Sequence, residues 1–414
     1  MIQVIKKDGS LEDFNAVKII KAVQAAAQQV EEGVAHNILA HRVVDYVKAI
    51  LIDHDVVKTS VTAIHTLVEN GLMTLGAFDV ARSYISYRKD HQPDVFRERK
   101  AFKPFEYPHL YEFVEAIQNS YWTHRHFSYT SDIQDFKVHL SAHEQTVSTR
   151  AMLAIGQIEV AVKTFWGNIG NTLKKPEIQA VGATFSESEV RHADAYVNLL
   201  ELLGLNEMFK EIDGIEVLKN RRDYLSKNLG NTESKEEFVL KLLLFSVFVE
   251  NVSLFSQFLI MLSFDKEKSQ LKGLANAIQA TSKEEDIHFQ FGVELIKIIQ
   301  KEYPEVFTEE LIEKVKSEAV EALKAEEAII EWMFDGKDLP FLKIADVKAF
   351  IWKRMRSSLA EVGIDFPIYP HMELLGNYDW FDQERVLPTN IDFFAKSSTD
   401  YSKHNRTYTE EELF

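Results

Sequence analysis

Apolar positions alternate at the start of the chain and recur every three to four residues almost everywhere after it. Ile2 and Val4 precede Lys6-Lys7-Asp8-Gly9, and Leu11 and Phe14 follow. Asp-Gly between short apolar runs predicts a β-hairpin with a type I′ turn. Asn15 stands where a helix cap belongs, because Val17, Ile19, Ile20 and Val23 then keep a helical period. Further helices are expected at about residues 38–53, 61–75 and 79–89. Residues 1–92 therefore read as one small α+β domain, a helical bundle with a hairpin cap.

From His91 the pattern stops, and residues 93–108 are assigned as a linker. His-Gln-Pro-Asp, a run of mixed charge and then Pro104 and Pro108 have the composition of a linker. Residues 109–391 return to a helical period, with several segments apolar on more than one face, as in the central helices of a bundle. Residues 392–414 are polar and aperiodic and read as a flexible tail. The fold class expected is mainly α, with 16 Gly and 9 Pro too few for a turn-rich all-β chain.

One apolar run, residues 242–264, is long enough to span a bilayer. Glu250 and Asn251 at its middle make lipid costly, so a buried core helix is expected and no membrane partner. That places a carboxylate in an apolar interior. Residues 1–9 are charged and lack an apolar signal-peptide core, so a cytoplasmic location is expected. A net charge of −17 argues against a nucleic-acid polymer as partner. There is no cysteine, which excludes disulfides, zinc ribbons and thiol nucleophiles in this chain.

Glu189-Val190-Arg191-His192 and Glu285-Asp286-Ile287-His288 each put Glu and His at i, i+3, on one helix face. A single tetrad of this kind is weak, since about one arises by chance at ordinary Glu frequency. Glu106-Tyr107-Pro108-His109 is a third, set aside because Pro108 favours a turn. The alternation is more specific. Glu159 precedes the first tetrad and Glu250 the second, each within an apolar segment, giving the order of a ferritin-like dinuclear carboxylate site. Four converging carboxylates repel unless two divalent cations join them, with the two imidazoles as neutral ligands.

These residues resemble the small, radical-generating subunit of class I ribonucleotide reductase, from roughly residue 107 to the C-terminus. The resemblance implies a ferritin-like bundle with Glu159, Glu189 and His192 on one metal-binding half and Glu250, Glu285 and His288 on the other. The family usually has Asp at the first position. Glu159 tilts the choice between manganese and iron slightly toward manganese. Tyr196 has the spacing of the family's radical tyrosine, although some relatives keep the oxidising equivalent on the metals. Leu254 and Phe258 occupy the family's apolar shell. Trp122 matches the tryptophan that relays an electron, with Glu284 where the family has its coupled Asp. In the tail, Tyr401 fits the relay tyrosine better than Tyr408, and Glu-Glu-Glu-Leu-Phe resembles the end that docks on the large subunit. A homodimer and a large-subunit partner follow from the same resemblance.

The N-terminal domain resembles an ATP-cone, carried by Val4, Lys6, Lys7, Asp8, Gly9, Glu12, Asn15, Lys18 and Ile19, by Lys58-Thr59-Ser60 and by Tyr87-Arg88-Lys89. Lysines near a glycine turn and a helix start suit a triphosphate. ATP and dATP are the implied effectors, with a higher oligomer in dATP. A zinc-ribbon regulator that shares this domain needs cysteines absent here. The alternative enzyme is a ferritin-like ligand-binding dinuclear metal oxidase, which needs neither cone nor docking tail. Metal storage fits the regulatory domain poorly.

Overall fold

Gln3–Ile5 (β1) and Leu11–Asp13 (β2) pair antiparallel with Val4 opposite Glu12, as the alternation predicts. In the computed structural model, described for residues 2–5, 11–30, 36–90, 93–230, 232–367, 378, 380 and 381, they join a three-stranded sheet ordered β2-β1-β3. The third strand, Lys58–Ser60 (β3), runs parallel to β1 with Val4 opposite Thr59. Three residues carry no period, so it is the open edge of β1 that makes this segment a strand.

The helices of this unit are Ala16–Gln28 (α1), His36–Asp53 (α2), Val61–Thr74 (α3) and Phe78–Asp90 (α4). Asn15 Oδ1 accepts from the Val17 N–H at 3.0 Å, and Ser60 Oγ accepts from the Ala63 N–H at 3.1 Å, so both caps satisfy otherwise orphaned donors. Val23, Val43, Val47, Val68 and Leu72 are wholly buried and form the core between the helices.

The chain divides into two units, Met1–Asp94 and Val95–Phe414. The stretch with a linker's composition is therefore part of the second unit from Val95 onward. Val95 is buried and its N–H donates to Glu302 at 2.8 Å. Glu177 Oε1 accepts from the N–H groups of Glu106 and Tyr107, both at 2.9 Å. Lys175, wholly buried, donates to Glu106 at 2.8 Å. These bonds fasten the segment to carboxylates of distant helices, which local composition does not reveal.

The second unit is helical: Glu112–Ser120 (α5), Ala142–Thr172 (α6), Pro176–Leu203 (α7), Glu216–Lys227 (α8), Lys235–Lys268 (α9), Lys272–Glu302 (α10), Glu309–Phe334 (α11) and Ile344–Glu361 (α12). Two long hairpins, α6–α7 and α9–α10, make its centre, with α5, α8, α11 and α12 packed against them. Within α9, Leu243–Ser253 is π-helical. The apolar run of α9 is buried inside the unit, as expected for a core helix. Gly292 brings α10 onto this π-helical stretch: a Cβ there would lie 2.1 Å from Ser246 Cβ. The start of α10 is held by Asp132 and Asp135, which accept from the N–H groups of Gly273 and Leu271, both at 3.0 Å.

Candidate metal centre

Glu159 comes from α6, Glu189 and His192 from α7, Glu250 from the π-helical part of α9, and Glu285 and His288 from α10. All six are buried to 1% exposure or less. Their ligand atoms form two overlapping sets, Glu159-Glu189-His192-Glu285 and Glu189-Glu250-Glu285-His288, with the atoms of each set within 4.8 Å of one another. Glu189 and Glu285 belong to both sets and so lie between two cation positions.

The i, i+3 spacing acts as expected. His192 Nδ1 lies 3.0 Å from Glu189 and 2.9 Å from Glu285 across the site. His288 Nδ1 lies 3.0 Å from Glu285, 3.0 Å from Glu189 and 3.3 Å from Glu250. Both rings aim Nδ1 inward and Nε2 outward. His192 Nε2 meets Glu284 at 2.7 Å, and His288 Nε2 meets Ser188 Oγ at 3.0 Å. Outer partners of this kind fix the ring and free the inner nitrogen's lone pair for a metal.

The charges show what the cluster lacks. Burial, then repulsion from Glu189, pushes Glu159 and Glu285 well above the usual carboxylate range. Burial opposes ionisation of Glu189 too, but His288 and His192 outweigh it and hold Glu189 below that range. Burial pulls His288 down, yet Glu189 and Glu250 win and raise it to about 10. Without cations the cluster thus balances its charge with protons. Both oxygens of Glu159 and one each of Glu189, Glu250 and Glu285 have no hydrogen-bond donor although buried. Orphaned carboxylate oxygens beside inward imidazole nitrogens fit hard or intermediate divalent cations.

Around the centre, Trp166 donates from Nε1 to Glu250 Oε1 at 2.5 Å, and Phe185 lies 4.1 Å from His288, ring centre to ring centre. Leu254 and Phe258 are wholly buried, as the apolar shell requires. Tyr196 is wholly buried, and its hydroxyl has no hydrogen-bond partner. Burial, then the charge of Glu159, raises it far above an ordinary phenol.

Trp122 is buried and stacks on His192 at 5.6 Å with an interplanar angle of 15°. Its indole N–H does not bond to Glu284. Glu284 is filled by Ser120 Oγ at 2.8 Å, Arg191 at 3.2 Å and His192 at 2.7 Å, and Trp122 Nε1 is buried without a hydrogen-bond partner. Arg191 instead joins the two, donating to Glu284 and, at 3.1 Å, to the Trp122 carbonyl, while its guanidinium lies 4.7 Å from the Tyr121 ring centre. Arg191, Ser188 and Trp166 went unremarked in the sequence. Trp166 had a signal, since it follows Glu159 by seven residues and shares its helix face.

In the first unit, Val4, Glu12, Asn15, Lys18 and Ile19 line one cavity of about 280 Å³, with His65 and Tyr84 also in its wall. Lys18 Nζ lies 2.5 Å from Glu12. Thr59 is beside Val4 in the sheet. Lys6, Lys7, Tyr401 and Tyr408 lie outside the described residues, as does the side chain of Lys89.

Fold and site together define a ferritin-like helical bundle with a buried carboxylate–histidine cluster compatible with a dinuclear metal site, preceded in sequence by a small α+β domain. The profile described as "Ribonucleotide reductase, small chain" matches residues 99–373, and that of the "ATP cone domain" matches residues 2–93. The chain belongs to the ribonucleotide reductase small chain family and carries an ATP cone. It is similar to a "probable ribonucleoside-diphosphate reductase small subunit" of Invertebrate iridescent virus 3, 24% identical over 76% of this chain and 88% of the viral one. Among solved structures it resembles the ribonucleotide reductase R2 subunit from Clostridium botulinum, with a TM-score of 0.63 and 16% identity over 70% of this chain and 92% of that one. It also resembles dimanganese(II)-NrdF of Streptococcus sanguinis, with a TM-score of 0.58 and 18% identity over 66% and 95% of the two chains.

Proposed function

We propose that this chain generates the radical for a ribonucleoside-diphosphate reductase and passes it to a separate catalytic large subunit. The observation that carries the reading is the pair of overlapping ligand sets with orphaned, buried oxygens. Glu159 and His192 would hold one cation, Glu250 and His288 the other, with Glu189 and Glu285 between them. Bound there, the two cations supply one-electron oxidising power from an oxygen species. Manganese is favoured slightly over iron, on Glu159 at the first position.

The protein's own part is orientation, exclusion of water and control of protons. Leu254, Phe258, Phe185 and Trp166 keep solvent from the ligands. Tyr196 keeps its proton on the phenol oxygen, because burial and Glu159 disfavour the phenolate. Trp122, stacked on His192, gives an aromatic contact to the ligand shell, with its chain neighbour Tyr121 at the surface. Arg191 holds that contact in place from both sides. Residues 392–414, with Tyr401, would dock on the large subunit and continue the relay. The N-terminal cone would bind ATP or dATP in the cavity beside Lys18 and adjust activity through the oligomeric state.

The test is low-temperature EPR with metal quantification on aerobically loaded protein, beside assays with a large subunit. Two cations per chain, a metal or tyrosyl signal, and loss of both in Glu250→Ala are expected. Stoichiometric activation of the large subunit without bound metal would overturn the reading. For regulation, a chain beginning after about residue 90 should lose its response to dATP.

A further inference from the structure

The two inward imidazoles have different outer partners. His192 Nε2 meets the Glu284 carboxylate at 2.7 Å, whereas His288 Nε2 meets the Ser188 hydroxyl at 3.0 Å. An ionised carboxylate can only accept, but a hydroxyl has one proton and two lone pairs and can serve either way. Were Ser188 to donate to Nε2, a neutral His288 would carry its proton on Nδ1, facing the carboxylates and closed to a cation. The direction of the Ser188 bond therefore decides whether His288 can be a ligand.

Phe185 settles that direction. Ser188 Oγ donates to the Phe185 carbonyl oxygen at 2.7 Å, three residues back along α7. Its single proton is thereby committed, and only lone pairs remain toward His288. Nε2 must then carry the ring proton, which leaves the Nδ1 lone pair facing Glu189, Glu250 and Glu285. The Phe185 ring also packs on His288, at 4.1 Å between ring centres. One residue thus supports the imidazole directly and, through Ser188, fixes its proton. Ser188, Phe185 and His288 are all wholly buried, so solvent does not compete for either bond. A serine bonded back within its own helix ordinarily satisfies only itself. The second contact, to a ring in the cluster, gives this one a further role.

We propose that Ser188 is a positioning residue, its hydroxyl turned by the Phe185 carbonyl into an obligate acceptor that keeps the His288 proton on Nε2 and holds Nδ1 open to a cation. This rests on reading the cluster as a dinuclear metal centre. The same geometry makes the two imidazoles unequal. His192 donates to an anionic oxygen at shorter range and is the more basic ligand, while His288 donates to a neutral one.

Zn(II) alone, titrated calorimetrically into metal-free full-length protein, reads the affinity of the two positions. Wild type should bind two Zn(II) per chain. Ser188→Thr and Ser188→Val add nearly the same volume, and only threonine keeps a hydroxyl able to bond a carbonyl of the preceding turn. Ser188→Val should bind one of the two Zn(II) about tenfold or more weakly than Ser188→Thr, as for loss of an outer partner. Equal affinities in the two variants overturn the proposal and spare the metal centre. Failure of wild type to bind two Zn(II) overturns both.

Should either variant fail to fold, spectra of nitrogen-15-labelled histidine in Zn(II)-loaded wild type decide the matter. Two rings should be bound through Nδ1 and protonated on Nε2, with the Nε2 proton that faces Glu284 further downfield than the one that faces Ser188. A zinc-bound ring attached through Nε2, or two Nε2 protons at the same shift, overturns the proposal. If no ring takes up zinc, the metal centre falls with it.

Discussion

Replacing Gly292 with alanine should loosen the metal centre without touching a ligand. Gly292 lies one turn beyond His288 on α10, and Ser246 one turn before Glu250 on α9. An alanine Cβ would stand 2.1 Å from Ser246 Cβ, where carbon atoms rest at about 3.5–4.0 Å. The helices must therefore part by roughly 1.5 Å, many times the ~0.2 Å tolerance of a metal–ligand bond. Overpacking of this kind costs about 1–3 kcal/mol. The remedy identifies the cause. Ser246→Gly removes the opposing Cβ at a cost of about 1 kcal/mol for glycine within a helix. In the double variant the clash is gone, so the two costs should fall short of additive by at least about 1 kcal/mol. Thermal unfolding of metal-free protein followed by circular dichroism gives the stabilities, and metal analysis after Mn(II) loading gives occupancy. Gly292→Ala should bind fewer than two metals per chain, and Ser246→Gly should restore the second. The reasoning fails if Gly292→Ala retains both metals, or if the double variant is no better than the sum of the singles.

Metal loading should release protons. Glu159 and Glu285 are raised and His288 is raised to about 10, so at pH 7 the metal-free site carries protons that a cation must displace. Affinity therefore falls as pH falls, and calorimetry in buffers of different ionisation heat should read net proton release at pH 7; zero release sinks the charge argument. Asp132 is raised to about 6, chiefly by burial against opposing bonds from the Gly273 and Leu274 backbone. Its folded pKa exceeds its unfolded one, so stability is fully present below about pH 4 and lost as pH rises through 6, by up to about 3 kcal/mol. Asp132→Asn should flatten that decline between pH 4 and 6.5 in thermal unfolding, and an unchanged slope refutes it. Lys18→Ala should weaken ATP binding to the full-length protein about tenfold or more, as for loss of a charge-assisted bond, when read by equilibrium titration. Unaltered ATP binding would show that phosphate is held elsewhere.

The six residues of the proposed metal centre were legible because their signals are local. Two Glu-x-x-His tetrads fix a helix face each, and Glu250 advertises itself as a carboxylate in the middle of an apolar helix. What stayed hidden depends on partners far along the chain. β3 exists only because β1 offers an edge, and residues 95–108 are ordered by Glu177 and Glu302. The π-helical turns around Glu250 pack against α10 and leave no pattern in residue type. The absence of a bond between the Trp122 indole and Glu284 has a similar cause. Sequence identifies the carboxylate, but Ser120, Arg191 and His192 compete for it, and together they take its hydrogen-bonding capacity.

The two halves of the centre are alike in their ligands and diverge immediately outside them, and that divergence gives the site a direction. On the His192 side the outer contacts are polar and conjugated: Glu284, Arg191, then Trp122 and the half-exposed Tyr121. On the His288 side they are Ser188, Trp166 and a wall of Phe185, Phe165 and Phe291, all buried or nearly so. A charge can approach the surface along the first set, because Arg191 and Glu284 offset each other beside it. Along the second it meets only apolar rings, where an unpaired charge is costly. On the proposed function, an oxidant formed between these halves would be insulated on one face and in contact on the other. If the oxidising equivalent leaves the protein through Trp122, changes at Arg191 should slow transfer to the partner while leaving metal occupancy intact.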